Sequence, residues 1–284
     1  MRPGVPSGTS LSVSFARGLG IDRQPIDPLA LELLPPGLAQ LAAAPLHLGA
    51  VAGVYRAAVR AATFGLIDHI VLRTQAIDAK LVSALQAGID QLVILGAGLD
   101  ARAWRLEALK GVPVFEADHP ATQRYKRKRL SRKRPPTDIR YVSVDFEKER
   151  FCNALEAAGF RSSAPSVWIW EGVAMYLPLA AVYSMLEQLT SLSAPGSELA
   201  MTYRVPGLLP YGALGRAAIP TVFAAAGEPL KATLEPHELA SAVAPDWEVA
   251  FDEDSHGWRA LTGSSATPSR SFLSERLAIL KKRG

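Results

Sequence analysis

The stretch that decides the fold is Gln91–Pro120, which reads QLVILGAGLDARAWRLEALKGVPVFEADHP. It opens with Leu92–Leu95, a short apolar run with β-branched residues at its centre, as expected for a central strand of a parallel sheet. Gly96 and Gly98 follow at once, and glycine lets the backbone turn tightly and approach a ligand closely. The pattern therefore predicts a buried strand that ends in a glycine turn.

A second strand is predicted at Val112–Ala117, and its end is acidic. Glu116 and Asp118 come about 20 residues after the glycines, where a carboxylate can accept hydrogen bonds from ribose hydroxyls. The spacing resembles a dinucleotide fingerprint, although Ala101 stands where the third glycine would fall. We expect a nucleoside-type ligand at this point. The alternative is a glycine turn that only links a strand to a helix.

The composition is that of a globular protein. The 284 residues are 49% apolar and 20% charged, which suits one α/β domain with additions. A single cysteine, Cys152, excludes an internal disulfide framework and a cysteine-cluster metal site, and it fits a reducing compartment. No apolar run of about 18 residues indicates a membrane span, and the N-terminus does not resemble a signal peptide. We expect a cytoplasmic protein without a metal site.

Positive charge is concentrated in one basic run, residues 126–134. It holds seven lysine and arginine side chains, and without them the formal net charge of +4 would become −3. Such a run can bind nucleic acid or acidic lipid, but more commonly it forms a solvated helix face and loop. Because no aromatic residue interleaves with it beyond Tyr125, we do not expect nucleic acid as a partner.

Strands and helices alternate through the chain, which predicts a parallel sheet with helices on both faces. Residues 1–80 are predicted to form a tail, mobile to about residue 20, and a helical cap. Residues 81–284 are predicted to form the main domain, with a helical lid inserted at about 204–245. A helix is predicted to begin at Asp78 and lead into the central strand. Two later helices are predicted at Glu147–Gly159 and Leu179–Leu192. The other predicted strands are Ile139–Asp145, Ser166–Gly172, Ser197–Tyr203 and an antiparallel pair, Trp247–Phe251 with Arg276–Leu280.

Four predicted strands end at a glycine or an acid: Gly96, Asp118, Asp145 and Glu171. In open α/β sheets, ligands bind outside the carboxyl ends of the strands, so these residues should share one crevice. Carboxylates suit S-adenosylmethionine, because they can accept hydrogen bonds from its ribose, its adenine amino group and its ammonium group. They also tolerate a cationic sulfonium better than a pyrophosphate. For any one acid taken alone, a helix cap or a solvated strand end would be the preferred interpretation.

Four motifs together resemble those of the leucine carboxyl methyltransferase family. They are Leu95–Leu106, Phe115–Pro120, Val144–Phe146 and Trp170–Leu177, in this order, and the resemblance covers about residues 60–235. That family includes the enzyme that methylates the C-terminal leucine of a protein phosphatase, and bacterial relatives that act on small natural-product acids. The resemblance implies a class I methyltransferase fold: a seven-stranded sheet with the last strand antiparallel, an N-terminal helical segment and a lid.

The resemblance also implies roles for individual residues. The glycine turn approaches the methionine part of the cofactor, the end of the second strand holds the ribose, and the third strand end holds the adenine. Glu171 lies near the methionyl ammonium, Arg73 beside Thr74 pairs with the cofactor carboxylate, and Tyr176 faces the acceptor and is the expected catalytic residue. For His119 the alternative is a structural role. The implied cofactor-binding residues are Arg73, Gly96, Ala97, Gly98, Glu116, Asp118, His119, Asp145, Phe146, Glu171 and Gly172.

The expected reaction is in-line methyl transfer from S-adenosylmethionine to an oxygen of a small metabolite or natural-product acid. A carboxylate is already anionic at neutral pH and needs no general base, whereas a hydroxyl acceptor usually would. The scarcity of placed bases favours the carboxylate. Two alternatives are an RNA- or protein-modifying methyltransferase that uses the basic run, and a nicotinamide-dependent oxidoreductase. The latter would leave Glu171 without a role.

Overall fold

A seven-stranded sheet forms the centre of the part of the chain that this computed structural model describes, residues 7–20, 26–146, 150–207 and 228–284. The strand order is β3-β2-β1-β4-β5-β7-β6, in which β1 to β5 are parallel and β7 is antiparallel to both of its neighbours. This confirms the predicted seven-stranded arrangement. The strands are β1 Leu92–Leu95, β2 Val114–Asp118, β3 Ile139–Ser143, β4 Val167–Trp170, β5 Glu198–Arg204, β6 Trp247–Glu253 and β7 Glu275–Lys282.

Helices cover both faces of the sheet. The α-helices are α1 Gly8–Leu19, α2 Pro28–Leu33, α3 Pro36–Ala43, α4 Ala52–Ala62, α5 Leu66–Gln86, α6 Arg102–Arg105, α7 Pro120–Arg129, α8 Cys152–Ala157, α9 Leu179–Leu192, α10 Pro236–Val243 and α11 Ser255–Thr262. Helices α8 and α9 pack on one face, through side chains such as Phe151 and Leu189. Helices α5 and α11 pack on the other, through side chains such as Leu81 and Trp258. Burial on both faces explains why every residue of β1 and β4 is apolar and buried.

The N-terminal segment differs from the prediction. A mobile tail was expected to about residue 20, but residues 8–19 form α1, with Ser7 as its cap. Ala16 and Leu19 of this helix pack against Ile67 and Ile70 of α5. Because the packing partners are some fifty residues away along the chain, local periodicity gave no sign of this helix.

Two further elements correct the sequence analysis. The helix predicted to begin at Asp78 is the second half of α5, a single helix of 21 residues, so the boundary predicted at residue 80 lies inside a helix. Helix α11 was not predicted. The predicted lid at about 204–245 includes 208–227, which lie outside the described residues, as do residues 147–149 of the helix expected after β3.

Among the described residues, no helix has both the length and the apolar character needed to cross a membrane by itself. One pair, Pro36–Leu46 with Gly49–Ala62, reaches that length and composition together, but the pair is bent by 103°.

Candidate active site

The structure brings the four predicted strand ends to one edge of the sheet. Gly96 follows β1, Asp118 ends β2, Asp145 lies two residues after β3, and Glu171 follows β4. Strands β3, β2, β1 and β4 are parallel neighbours in that order, so their carboxyl ends line a single crevice.

The glycine turn is closely packed against neighbouring backbone. Gly96 and Gly98 have φ angles of +63° and +50°, in the left-handed region that favours glycine. A Cβ atom on Gly96 would overlap Cγ2 of Val173, in the loop that follows β4. The N–H groups of Gly96 and Ala97 donate to the carbonyl of Ala117 at 2.8 and 3.3 Å. The turn is therefore held between the ends of β2 and β4, with little freedom to move.

Asp118 is held rigidly at the end of β2. Its Oδ2 accepts a hydrogen bond from the N–H of Gly98, and its Oδ1 accepts one from the N–H of His119 at 2.6 Å. Burial raises the pKa of the Asp118 carboxyl group, and these two backbone donors oppose that effect. Each carboxylate oxygen keeps further acceptor capacity, which a ribose diol could use.

His119 has a structural role in the observed fold. Its Nδ1 accepts a hydrogen bond from the N–H of Ala121 at 3.2 Å, which caps α7 just before Pro120. The cap satisfies one of the N–H groups that a helix start leaves unpaired. Contact between His119 and a cofactor stays a prediction.

Glu116 is buried inside the fold and is paired with a lysine. Its Oε2 accepts a hydrogen bond from Nζ of Lys126 at 2.7 Å, and both side chains are almost completely buried. Burial raises the pKa of Glu116, while Lys126 lowers it. The basic run was expected to be a solvated face, and Lys126 corrects that expectation because it points inward. A role for Glu116 at the ribose stays a prediction.

Three arginines surround Glu171. Nη2 of Arg17 lies 3.0 Å from both carboxylate oxygens, Nε of Arg73 lies 2.9 Å from Oε1, and Nη1 of Arg102 lies 2.8 Å from Oε2. Burial would raise the pKa of Glu171, but the three guanidinium groups outweigh it and hold the pKa well below its ordinary value. The carboxylate is therefore charged at any physiological pH.

The arginines are themselves shared with other acids. Arg102 also pairs with Asp100 and, at 2.6 Å, with Asp78. Nη1 of Arg73 lies 2.7 Å from Glu275 of β7. This alternation of buried charges links α1, α5, α6 and β7 around the site. Removing one member leaves its partners buried without full compensation, so such a change is costly.

Arg73 was predicted to lie just ahead of a helix but lies within α5. There its guanidinium faces Gly172, whose φ of +66° is left-handed, and a Cβ atom on Gly172 would lie 3.6 Å from Nη2 of Arg73. The N–H of Gly172 donates to Oγ1 of Thr202 at 2.8 Å, which fixes the turn after Glu171. The structure thus brings Arg73, Gly172 and Glu171 together, as predicted.

Four charged residues of this network were not among the predicted site residues: Arg17, Asp100, Arg102 and Glu275. Asp100 and Arg102 lie inside the quoted motifs, so their position was a usable signal although no role was assigned. Arg17 lies in the segment that was expected to be mobile, and Glu275 lies about a hundred residues beyond β4. Only the folded chain brings these last two to the crevice.

The chain leaves β3 close to the end of β2. The N–H of Val144 donates to the carbonyl of Asp118 at 3.0 Å, so the chain leaves β3 beside the end of β2. Asp145 follows, and the half-buried Phe146 packs edge-on against Phe151 with ring centroids 6.1 Å apart. Among the residues described, no group of histidine, cysteine, aspartate and glutamate could hold a metal ion.

Tyr176 lies in the 3-10 turn Ala174–Tyr176 and interacts electrostatically with Arg73 and Glu275. Burial raises the pKa of the Tyr176 hydroxyl, as do the charges of Glu228 and Glu275, so the phenol stays protonated at neutral pH. Arg204, at the end of β5, is paired in register with Glu275 and interacts electrostatically with Tyr176. Burial lowers the pKa of Arg204, and its guanidinium has no carboxylate within 4.0 Å among the described residues.

Comparison with known proteins indicates the same family as the sequence motifs. The model of the family described as leucine carboxyl methyltransferase matches residues 22–190. A protein of Mycolicibacterium gilvum, provisionally named an S-adenosyl-L-methionine-dependent methyltransferase, is 41% identical over 155 residues, 54% of this chain and 50% of its own. A protein of Mycobacterium avium with the same provisional name is 32% identical over 211 residues, 74% of this chain and 67% of its own. The chain spans about half the length of most of the curated relatives it matches.

Two solved structures share the fold over nearly the whole chain. A DUF574 family protein from Streptomyces avermitilis has a TM-score of 0.66 at 16% identity and covers 98% of each chain. A protein from Thermobifida fusca, provisionally titled a methyltransferase, has a TM-score of 0.64 at 20% identity and covers 99% of this chain and 96% of its own. At these identities the likeness concerns the fold alone, and it confirms the predicted fold class.

Proposed function

Since this chain belongs to the leucine carboxyl methyltransferase family, we propose that it is an S-adenosyl-L-methionine-dependent O-methyltransferase whose acceptor is the carboxylate of a small metabolite. The observation that carries the proposal is the meeting of Asp118 and Glu171 beside the glycine turn at one edge of the sheet. The provisional names of the relatives support the cofactor.

The residues of the crevice fit this cofactor by their chemistry. Asp118 retains acceptor capacity for the ribose hydroxyls, and Glu171 is an ionised acceptor for the ammonium group. Arg17 and Arg73 are buried guanidinium groups beside Glu171, and a guanidinium pairs readily with a carboxylate such as that of the methionine part. We assign the adenine to Asp145 and Phe146. The set contains a partner for both the ammonium and the carboxylate of the cofactor.

The bound cofactor would supply a methyl group on a cationic sulfur, and the protein would supply alignment. The packed glycine turn and the cross-linked Glu171 are rigid, and a rigid site holds reactants in line at little further entropic cost. Helix α1 lies over the turn. Cβ of Ser10 is only 3.6 Å from the point where a Cβ atom on Gly98 would lie. This cover would exclude water from the reacting groups.

The acceptor side favours an anion. Arg204 is a half-buried cation without a paired carboxylate among the described residues, and the protonated Tyr176 hydroxyl beside it can donate a hydrogen bond. A carboxylate could accept hydrogen bonds from both groups. We infer that Arg204 binds one acceptor oxygen and that Tyr176 orients the carboxylate.

A hydroxyl acceptor would need a base to remove its proton. The acids described near Tyr176 are engaged elsewhere: Glu228 accepts a hydrogen bond from the Thr9 hydroxyl, and Glu275 is bound by Arg73 and His69. His119 caps a helix. The carboxylate acceptor needs none of these groups and is therefore the better-supported choice.

The proposal is tested in two steps. Calorimetry should detect S-adenosylhomocysteine binding and no NAD binding. The reverse result would show a nicotinamide enzyme instead. Transfer of labelled methyl groups is then compared across matched carboxylic acids and phenols. A product that mild base hydrolyses is a methyl ester, whereas a base-stable product would contradict the carboxylate assignment.

Variants of Arg204 then test the acceptor site. Arg204→Gln should raise KM for the acid by roughly tenfold or more, the loss expected for a charged hydrogen bond, with cofactor affinity unchanged. The matched control is Arg276→Gln, since Arg276 lies on the adjacent strand but is bound to Asp252 at 2.8 Å. Equal effects from both variants would contradict a specific role for Arg204.

A further inference from the structure

A second concave site lies away from the crevice, beside α7. We call it the cationic groove: about 490 Å³, with a floor that includes Trp104 and Tyr141 and with Arg124, Arg127, Lys128 and Lys133 around it. Three of its lining residues, Arg124, Arg127 and Lys128, lie on α7 and begin about one turn after Pro120. Arg127 is seven residues after Pro120, about 10 Å along the helix axis. The groove and the crevice are therefore separate sites on one helix.

The cations of the groove are largely free to bind a ligand. Arg124, Arg127 and Lys128 are exposed and have no carboxylate within 4.0 Å among the described residues. Lys133 has one partner, the half-exposed Glu32 at 2.9 Å. Such exposed pairs are worth little and exchange readily for another anion. Lys126, in contrast, is buried inside the fold and already paired with Glu116.

Two aromatic side chains line the groove beside these cations, and neither belongs to the basic run. Tyr141 comes from β3, and the guanidinium of Arg127 lies 5.0 Å over its ring. Trp104 comes from α6 and is half-buried, and its indole N–H is buried with no acceptor among the described residues. The expectation that nucleic acid is not a partner rested on the lack of aromatic residues within the run. The fold supplies them from two other elements.

We propose that the cationic groove binds a nucleotide, either free or within a single strand. Arginine forks recognise phosphate oxygens, and aromatic and guanidinium planes stack on bases, so the two kinds of group at one site match the two ends of a nucleotide. The volume lies within the usual range for small-molecule sites, about 300–1,000 Å³. This inference does not depend on the proposed methyl transfer.

Tryptophan fluorescence measures the binding directly. The other four tryptophans, at positions 168, 170, 247 and 258, are buried, so quenching by a surface ligand reports on Trp104. The probes are uridine diphosphate and a short oligouridylate, which lack adenine and so avoid the cofactor crevice. Saturable quenching by the diphosphate assigns a free nucleotide, and quenching by the oligomer alone assigns a strand. No saturable binding of either probe at low salt would overturn the proposal.

Paired variants separate the groove from general charge. Arg124→Gln with Arg127→Gln should weaken binding roughly tenfold or more and reduce the salt slope by about 1.4, or ~0.7 for each lost strand contact. Arg132→Gln with Arg134→Gln removes the same charge from exposed positions that do not line the groove, and should weaken binding less than about threefold. Equal losses from both pairs, or displacement of the probe by S-adenosylhomocysteine, would overturn the proposal. Lys128→Gln, whose side chain makes no ring contact among the described residues, repeats the test if the first pair is unstable.

Discussion

Replacing Arg17 with glutamine removes a cation from the centre of the buried network. The side chain is 3% exposed and donates to both oxygens of Glu171 at 3.0 Å and to Oγ1 of Thr74 at 3.1 Å. Asp100 lies 3.5 Å from its Nη1. Glutamine is shorter and neutral, so it can replace neither the charge nor the paired hydrogen bonds.

The magnitude follows from what the partners retain. Removing one partner of a buried ion pair costs about 3–5 kcal/mol, because the remaining charge is left without compensation. Glu171 keeps its contacts with Arg73 and Arg102, so we expect the lower end of this range. The free energy of unfolding should fall by about 3 kcal/mol. Cofactor affinity should fall as well, by roughly tenfold, since Arg17 is one of two guanidinium groups assigned to its carboxylate.

Urea unfolding and calorimetry with S-adenosylhomocysteine measure the two effects. The control is Arg161→Gln, because Arg161 makes an even shorter contact with Asp90, 2.6 Å, but both partners are more than half exposed. That change should cost about 0.5 kcal/mol or less. Equal destabilisation by both variants would refute the view that burial gives the Arg17 contacts their weight. An unchanged cofactor affinity in Arg17→Gln would remove Arg17 from the site.

Three more predictions concern the crevice. Asp118→Ala should weaken S-adenosylhomocysteine binding by about 1–3 kcal/mol, measured by calorimetry, and unchanged affinity would refute the ribose assignment. Tyr176→Phe should lower kcat with little change in cofactor affinity, and an equal loss of both would indicate a structural role. Burial raises the pKa of Glu275, but Arg73 and His69 together outweigh it and lower the pKa to about 2, against 4.5 ordinarily. The stability it contributes is therefore complete above about pH 4.5 and lost as the pH falls towards 2. Glu275→Gln should flatten the acid limb of a stability curve in this range, and an unchanged limb would show that other acids dominate it.

Much of the fold could be predicted because the decisive signals are local. Leu92–Leu95 and Val167–Trp170 are continuous apolar runs, and Leu179–Leu192 was predicted with the bounds that the structure has. The convergence of strand ends followed from the rule for parallel sheets. Helix α1 could not be predicted, because its apolar residues gain their helical packing only against a distant segment of α5.

The acids at the strand ends could be predicted, whereas most of their counter-charges could not. Asp118 and Glu171 stand at strand ends, where chain order alone implies their position. Arg17 and Glu275 reach the crevice from opposite ends of the chain, and no periodicity encodes that meeting. Lys126 shows the same limit in reverse. Its neighbours made it look like one more surface charge, whereas its own position on α7 turns it towards Glu116.

The contact between Arg17 and Glu171 bears on where the N-terminal boundary of the domain is placed. The segment that matches the family model starts at residue 22, five residues after Arg17. A boundary set by sequence likeness thus cuts between a cation and the acid it neutralises. A fragment trimmed to that boundary would keep Glu171 and Asp100 while losing one of their positive charges, so it would hold an acidic imbalance in its own interior. In this chain, the segment that matches the family model therefore begins after a residue that belongs to the buried charge network.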